Sequence, residues 1–401
     1  MPSVFFSVAE PSADENVALV VRALRGLPGG KQLRVWGAGG GAMRGIGAEV
    51  VEETVAGAAM GVAAVGRAWE VSKLLSRIGA RWEKDAPSLV VCSDSWSLNV
   101  HVARLAKKRG IPVLWYVAPQ TWASREGRVK QLREVTDRVA CILPFEEAYF
   151  RERGVNATYV GHPLWDRIEV GGATRGFWEG SNMEGRKGPV VGILPGSRRG
   201  VVRANWPRLK EVMQRLRGEF PGITFRVPVT ANAAELLGEL PPDVVAQAGA
   251  IDKLVGGVGV GKDGAWGGCD LCVCVSGTAA LHVAAHRVPM IVVYHGNPVL
   301  WHLIGRWVVR TRTFSLVNLL SGKAGERLEG RHVVPEYVPW YGSTAAVAEH
   351  AARLLRDPGA LAAMRERLGE VVAPLARGPD GGEGASERVA RMILEELRKK
   401  R

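Results

Sequence analysis

The sequence predicts an α/β protein made of two doubly wound parallel sheets, and three observations carry that expectation. Short apolar runs recur along the 401 residues, each followed by a polar or glycine-rich turn and then a helix-length segment. Strands alternating with helices at this spacing indicate parallel sheets covered on both faces. The series stops at residues 171–188, a glycine-rich stretch with little apolar periodicity that reads as a linker, and then starts again.

Composition narrows the class. Hydrophobic residues make up 47% and charged residues 23%, as in an ordinary globular protein. A net charge of +13 favours an anionic partner: a nucleotide, a nucleic acid or an anionic lipid surface. No nucleic-acid-binding module accompanies the charge, so no nucleic-acid partner is expected. Five cysteines, an odd number, argue against a secreted disulfide framework. The opening MPSVFFSVAEPSADE has no basic region and reaches acids at once, which is not a signal-peptide pattern. Residues 55–66, the longest apolar run of interest, fall short of the roughly 20 residues that a spanning helix needs. A cytoplasmic protein, at most peripheral on a membrane, is expected.

In the first half, residues 3–8 predict a strand ending in AEPSAD, where Asp14 can cap a helix carrying Val17, Val20, Val21 and Leu24. Residues 33–36 predict a second strand running into GAGGGAM. Gly37, Gly39 and Ala42 fit G-x-G-x-x-A, yet the motif follows the second strand and no clean helix is predicted after it. The glycines are therefore read as a loop that gives backbone room near a substrate or as a tight turn, with an NAD-dependent oxidoreductase kept as an alternative. Residues 55–82, with Trp69, Val71, Leu74, Leu75 and Ile78, predict a helix pair whose apolar face packs in the core or dips into a bilayer surface. Strands at 89–92, 113–117, 139–143 and 158–160 follow; the loops SDSWSLN, APQTWASREGR and GHPL end three of them. In doubly wound sheets such carboxyl-end loops hold the ligand. Glu10, Asp14, Asp94 and His162 are the candidate general bases there, each with helix capping or a structural hydrogen bond as its alternative use.

The second half opens with VVGILPGSRRGVV. Val190–Leu194 is a strand, Pro195-Gly196-Ser197 breaks it, and Arg198 and Arg199 precede a helix bearing Trp206, Leu209, Val212, Met213 and Leu216. A strand, a glycine turn and a helix start form an anion site, and a hydroxyl with guanidinium groups beside it suits a phosphate or pyrophosphate. A strand over 270–275 runs into Ser276-Gly277-Thr278-Ala279, which can hold a second part of that phosphate. Residues 301–307 are apolar and aromatic, residues 343–372 predict two helices, and Val389, Ile393, Leu394 and Leu397 mark a last amphipathic helix. Cys269, Cys272 and Cys274 with His282 and His286 superficially resemble metal ligands. However, Cys272 and Cys274 share one face of a buried strand and no second C-x-x-C exists, so no metal is expected. The absence of G-x-x-x-x-G-K-[ST] and G-x-S-x-G removes the P-loop and hydrolase readings.

Taken in order, AEPSAD, SDSWSLN, YVAPQTWASREGRVK, CILPFE, YVGHPL, LPGSRRGVV, SGTAALH and SLVNLLSG resemble the motifs of the lipid-A-disaccharide synthase family over nearly the whole chain. The resemblance implies the GT-B fold, two Rossmann-like doubly wound domains facing a cleft: an acceptor domain at 1–170, a linker at 171–188, a UDP-sugar donor domain at 189–375, and a C-terminal helix at 376–401 packing back on the first domain or on a partner subunit. It implies a metal-independent, cofactor-free inverting hexosyltransferase. The enzyme would move 2,3-diacylglucosamine from UDP to the 6-hydroxyl of 2,3-diacylglucosamine 1-phosphate at the anionic inner face of the cytoplasmic membrane, with a homodimer left open. It places Ser12, Asp14, Asn99, Trp122, Arg125, His162, Ser197, Arg198, Ser276, Gly277, Thr278, His282 and Asn318 around the substrates.

Departures from the family pattern fall in the same loops. Ala9 and Ala13 replace glycines of G-E-A-S-G-D. Ser97 stands where D-A-P-D-F-N has the aspartate proposed as general base, and a serine does not accept a proton at neutral pH without help. The M-G-x-x-E element ends in Ala64, S-G-T-A-T-L-E ends in His282, and W-A-W-R reads Trp122-Ala123-Ser124-Arg125. Two readings follow. In one, the protein is a working synthase in which Asp94 or Glu10 serves as base. In the other, it is a diverged UDP-sugar-binding paralogue that is non-catalytic or altered in specificity.

Overall fold

Ser3–Ser7 (β1) is buried along its whole length because helices cover it on both sides. Val4 and Phe6 face one helical layer, and Phe5 faces the other. The computed structural model describes residues 1–55, 64–123, 127–168, 188–196, 198–229, 234–248, 260–261, 264–265, 268–295, 313–322, 332–377 and 382–399. Two units make up the chain: Met1–Arg167 with Pro374–Arg401, and Ile168–Ala373.

The first unit continues with α1 (Pro11–Gly26), β2 (Arg34–Gly39), α2 (Gly41–Gly45), β3 (Glu49–Glu53), α3 (Ala64–Lys84), β4 (Leu89–Ser93), α4 (Trp96–Lys108), β5 (Val113–Tyr116), α5 (Arg128–Val135), β6 (Arg138–Cys141), α6 (Pro144–Arg151) and β7 (Ala157–Tyr159), ending in a 3₁₀ turn at Pro163–Asp166. All strand pairs are parallel, in the order β3-β2-β1-β4-β5-β6-β7. On one face Phe5 meets Trp36 at 4.9 Å and Trp82 at 5.1 Å, both edge-on, a preferred aromatic geometry.

The second unit holds β8 (Val190–Leu194), α7 (Arg199–Glu219), β9 (Thr224–Val229), α8 (Ala234–Leu237), β10 (Val244–Ala248), β11 (Val260–Gly261), β12 (Gly264–Ala265), β13 (Leu271–Val275), α9 (Thr278–Ala285), β14 (Met290–Val293), α10 (Leu316–Leu320), β15 (Glu336–Tyr337), α11 (Thr344–Arg356) and α12 (Pro358–Arg377), the last running on into the first unit. Its parallel sheet has the order β10-β9-β8-β13-β14-β15, and β11 and β12 form a separate antiparallel pair. In both sheets the strand order reverses beside the first strand of the unit, between β1 and β4 and between β8 and β13. Open α/β sheets bind ligands at the carboxyl edge of such a point.

The last helix, α13 (Ala385–Lys399), belongs to the first unit. Val389, Ala390 and Ile393 share a core with Val17, Val20 and Val21 of α1. Asp166 accepts the backbone N–H groups of Ala385 (3.0 Å) and Ser386 (2.7 Å), capping the helix, and Arg388 donates to the Val160 carbonyl oxygen at 3.2 Å.

Two local expectations are corrected. A short helix, α2, opens within GAGGGAM, at Gly41. The first helix begins at Pro11, so Asp14 lies within its first turn and does not cap it; Glu10 is the capping position. Of the helix pair read over 55–82, residues 64–84 form one helix, and residues 56–63 lie outside the described residues, as do 171–187 and 301–307. Cys272 and Cys274 are buried in β13, and among the described residues no group of three or more His, Cys, Asp or Glu is placed to hold a metal ion.

Candidate active site

In the second unit, the two loops read as phosphate-binding leave neighbouring strands, with Leu194 of β8 opposite Cys274 of β13. At the first, Gly196 has φ +101°, a left-handed conformation, and a Cβ there would come within 2.9 Å of the Val201 side chain, so glycine is required. Arg198 is the N-cap residue of α7 and Gly277 that of α9, and neither helix start has a side-chain cap. Two helix N-termini, with first-turn N–H groups that lack intrahelical partners, therefore open from one switch point. Arg198, Gly277 and Thr278 are exposed there, and His282 is half-buried one turn into α9. Ser197 lies outside the described residues.

Ser276 donates its hydroxyl to the Phe314 carbonyl oxygen at 3.0 Å. That bond ties the SGTA turn to the SLVN segment. The segment is itself held by Glu336, which accepts the N–H groups of Phe314 (3.0 Å) and Ser315 (2.9 Å) and the Asn318 amide (2.7 Å). Asn318 is corrected from ligand contact to structural hub. Its Oδ1 accepts from Val333 and Val334, and its Nδ2 donates to Val334 and Glu336, so its ordinary hydrogen-bonding capacity is used inside a buried site.

In the first unit, Asp14 is similarly reassigned. It is 3% exposed and accepts N–H groups from Gly40 (3.0 Å), Ala42 (2.8 Å) and Met43 (3.4 Å), so it caps α2. A Cβ on Gly40 would lie 2.8 Å from this carboxylate, which explains one glycine of GAGGGAM. It also removes the dinucleotide alternative: the helix start that would receive a pyrophosphate already holds the protein's own anion.

Glu10 is half-buried at the start of α1 and does not cap it with its side chain; Ser12 beside it is exposed. Across the switch point, Asp94 and Ser95 are both left-handed, with φ 53° and 37°. This conformation is rare outside glycine, and aspartate tolerates it better than most residues. The Asp94 N–H donates to Tyr116 at 3.1 Å, and its carboxylate accepts from Ser95 N–H at 2.8 Å. Asn99 is fully buried and holds this turn, because its Nδ2 donates to the Ser93 and Asp94 carbonyl oxygens, while its buried Oδ1 has no partner. Ser97 is exposed in the first turn of α4. Trp96 packs on Trp115 at 5.4 Å, with the Arg128 guanidinium 5.4 Å from its ring.

The loop after β5 carries Trp122, whose indole donates to Glu146 Oε1 at 3.0 Å and meets Phe145 edge-on at 5.1 Å. Glu146 was missed as a site residue, although an acid following Leu143-Pro144 fits the third position of a helix start. Burial pushes its carboxyl up to about 7 against the opposing effect of three hydrogen bonds. Arg125 lies outside the described residues. His162 is buried, its Nδ1 accepts from Leu164 N–H at 3.1 Å, and its ring stands edge-on to Trp165 at 5.8 Å. Accepting at Nδ1 places the proton of the neutral ring on Nε2.

The chain is similar to known proteins over nearly its whole length. The family model described as lipid-A-disaccharide synthetase matches residues 4–337. The chain is 33% identical over 405 residues to the lipid-A-disaccharide synthase of Geobacter metallireducens, covering 99% of this chain and 98% of the relative. It is 31% identical over 407 residues to that of Myxococcus xanthus, with 99% and 98% covered. Among solved structures, the S. aureus MnaA–UDP co-structure superposes with a TM-score of 0.61 at 11% identity, covering 99% of this chain and 97% of that one. Acinetobacter baumannii MurG gives 0.54 at 13% identity, with 98% and 100% covered. At such identities these structures speak for the fold alone, that of GT-B glycosyltransferases and related epimerases. By its matched length and its relatives, this chain belongs to the lipid-A-disaccharide synthase family, hexosyltransferases of lipid A biosynthesis.

Proposed function

We propose that the second unit binds UDP-2,3-diacylglucosamine and that the first binds 2,3-diacylglucosamine 1-phosphate, the 6-hydroxyl of which is glycosylated. The observation that carries the reading is the pair of uncapped helix starts at the β8/β13 switch point in a chain of this family. In the reaction the acceptor oxygen bonds to the donor's anomeric carbon from the β face as the bond from that carbon to the diphosphate breaks. The departing UDP gains negative charge, which the N-termini of α7 and α9 and Arg198 would stabilise. Thr278 and Gly277 would line the diphosphate and His282 the ribose. Ser12, Trp122 and His162 would contact the acceptor.

Asp94 would take the hydroxyl proton. Its turn fixes the carboxylate at the carboxyl edge of β4, whereas Ser97 has no group of suitable basicity. Glu10, whose side chain is not used as a cap, is the second candidate. UDP release from the two lipid substrates tests the reading. Release dependent on the acceptor supports it, and UDP binding without release contradicts it.

We further propose work at an anionic membrane surface on its cytoplasmic side. Trp69 of α3 is 62% exposed with Lys73 3.6 Å from its ring, a pairing suited to a lipid interface. Among the described residues no helix is long and apolar enough to cross a membrane.

A further inference from the structure

We propose that Glu146 is a positioning residue for the acceptor, its buried carboxylate holding the Trp122 indole in the orientation that the acceptor sugar meets. The inference rests on Trp122 being an acceptor contact.

A glutamate at the third position of a helix ordinarily caps that helix from the solvent side. Glu146 does more. It is 1% exposed, and its Oε2 accepts the N–H groups of Ile142 (3.2 Å) and Leu143 (3.1 Å), while Oε1 takes the indole N–H of a different loop. Burying a carboxylate costs free energy that capping alone does not require, so the third bond is the feature to be explained. Further side-chain ties on the described part of this loop come from the same helix. Thr121 donates to the Tyr149 hydroxyl at 3.4 Å, and Phe145 meets the indole edge-on. Val117, the first residue after β5, has φ 61°, a costly conformation for a β-branched residue, so the chain turns sharply there. Trp122 remains half-buried, leaving part of its ring open to a ligand.

Protonating Glu146 weakens all three bonds together, because a charged acceptor makes the stronger hydrogen bond. The groups around it are Cys141 on β6, Glu147 and Arg151 on α6, and Tyr159 on β7 with Arg388 behind it. Burial raises both the Cys141 thiol and the Tyr159 phenol, so both stay neutral near pH 7. The Glu146 carboxyl, raised to about 7 by burial, titrates there.

The test combines E146Q, W122F and the double variant, assayed at saturating UDP-diacylglucosamine with varied acceptor. Each single substitution is expected to raise acceptor KM about tenfold, with kcat and donor KM within about twofold, and the double variant to be no worse than either single one. Wild-type acceptor KM should rise as pH falls through about 7, and W122F should lack that rise. Additive effects, or a pH dependence retained in W122F, overturn the proposal. A 5-fluorotryptophan-labelled protein gives a readout independent of turnover, with the Trp122 resonance assigned by its loss in W122F. That resonance should shift with a midpoint near pH 7 in the wild type and not in E146Q; a resonance constant from pH 5.5 to 8.5 overturns the proposal. A wild type without turnover sinks the functional reading instead, and the fluorine signal still decides the role of Glu146.

Discussion

Asn99 donates its amide to the carbonyl oxygen of Asp94 at 2.9 Å, and this partly buried bond holds the left-handed turn on which the proposed base sits. The same amide reaches Ser93 at 2.8 Å. Asn99→Ala is expected to lower kcat by roughly tenfold to a hundredfold with little change in donor KM, and to cost about 1–3 kcal/mol of stability from two orphaned carbonyls. Steady-state kinetics with a denaturant titration separate the two effects. Unchanged kcat in a folded variant would detach the turn from catalysis.

Asp14 is a purely structural acid in this account. Asp14→Ala leaves three backbone N–H groups without their acceptor and is expected to destabilise the protein by about 1–3 kcal/mol. Activity of the fraction that stays folded should be near wild type. The measurement is the urea midpoint beside kcat at low temperature.

Arg198 carries the opposite expectation. Arg198→Ala should leave thermal stability within about 0.5 kcal/mol, as for exposed positions generally, while lowering kcat/KM for the donor by roughly a hundredfold, about 2.7 kcal/mol. UDP affinity measured by calorimetry should fall as well. An unaltered UDP affinity would place the diphosphate elsewhere.

Burial raises the Glu146 carboxyl from 4.5 to about 7. The folded protein then binds this proton more tightly than the unfolded chain, so the group's contribution to stability is lost as pH rises through that window. Melting temperatures of wild type and E146Q between pH 5 and 8 check the sign: the difference should move in favour of the variant as pH increases. A difference independent of pH would remove the shift.

Both sheets are legible in the sequence because parallel strands buried on two faces read as unbroken apolar runs, as in Leu89–Ser93 and Leu271–Val275. The anion loops are legible for a related reason: the glycine and the helix start must be contiguous in the chain. The uses of Asp14 and Asn318 are not. Their partners Gly40 and Val334 lie on other elements, and a buried polar side chain engaged by backbone has the same residue type as one engaged by a ligand. Nor is Glu146 legible in the sequence, because its burial and its bond to Trp122 arise only when α6 packs against the loop after β5.

In the proposed reaction this chain transfers a sugar with Asp94 as the base. UDP release from UDP-2,3-diacylglucosamine and 2,3-diacylglucosamine 1-phosphate should require both lipids in the wild type, and Asp94→Asn should slow it by about a hundredfold to ten-thousandfold while UDP still binds. Full turnover in Asp94→Asn, with loss in Glu10→Gln, would contradict the assignment and move the base to Glu10.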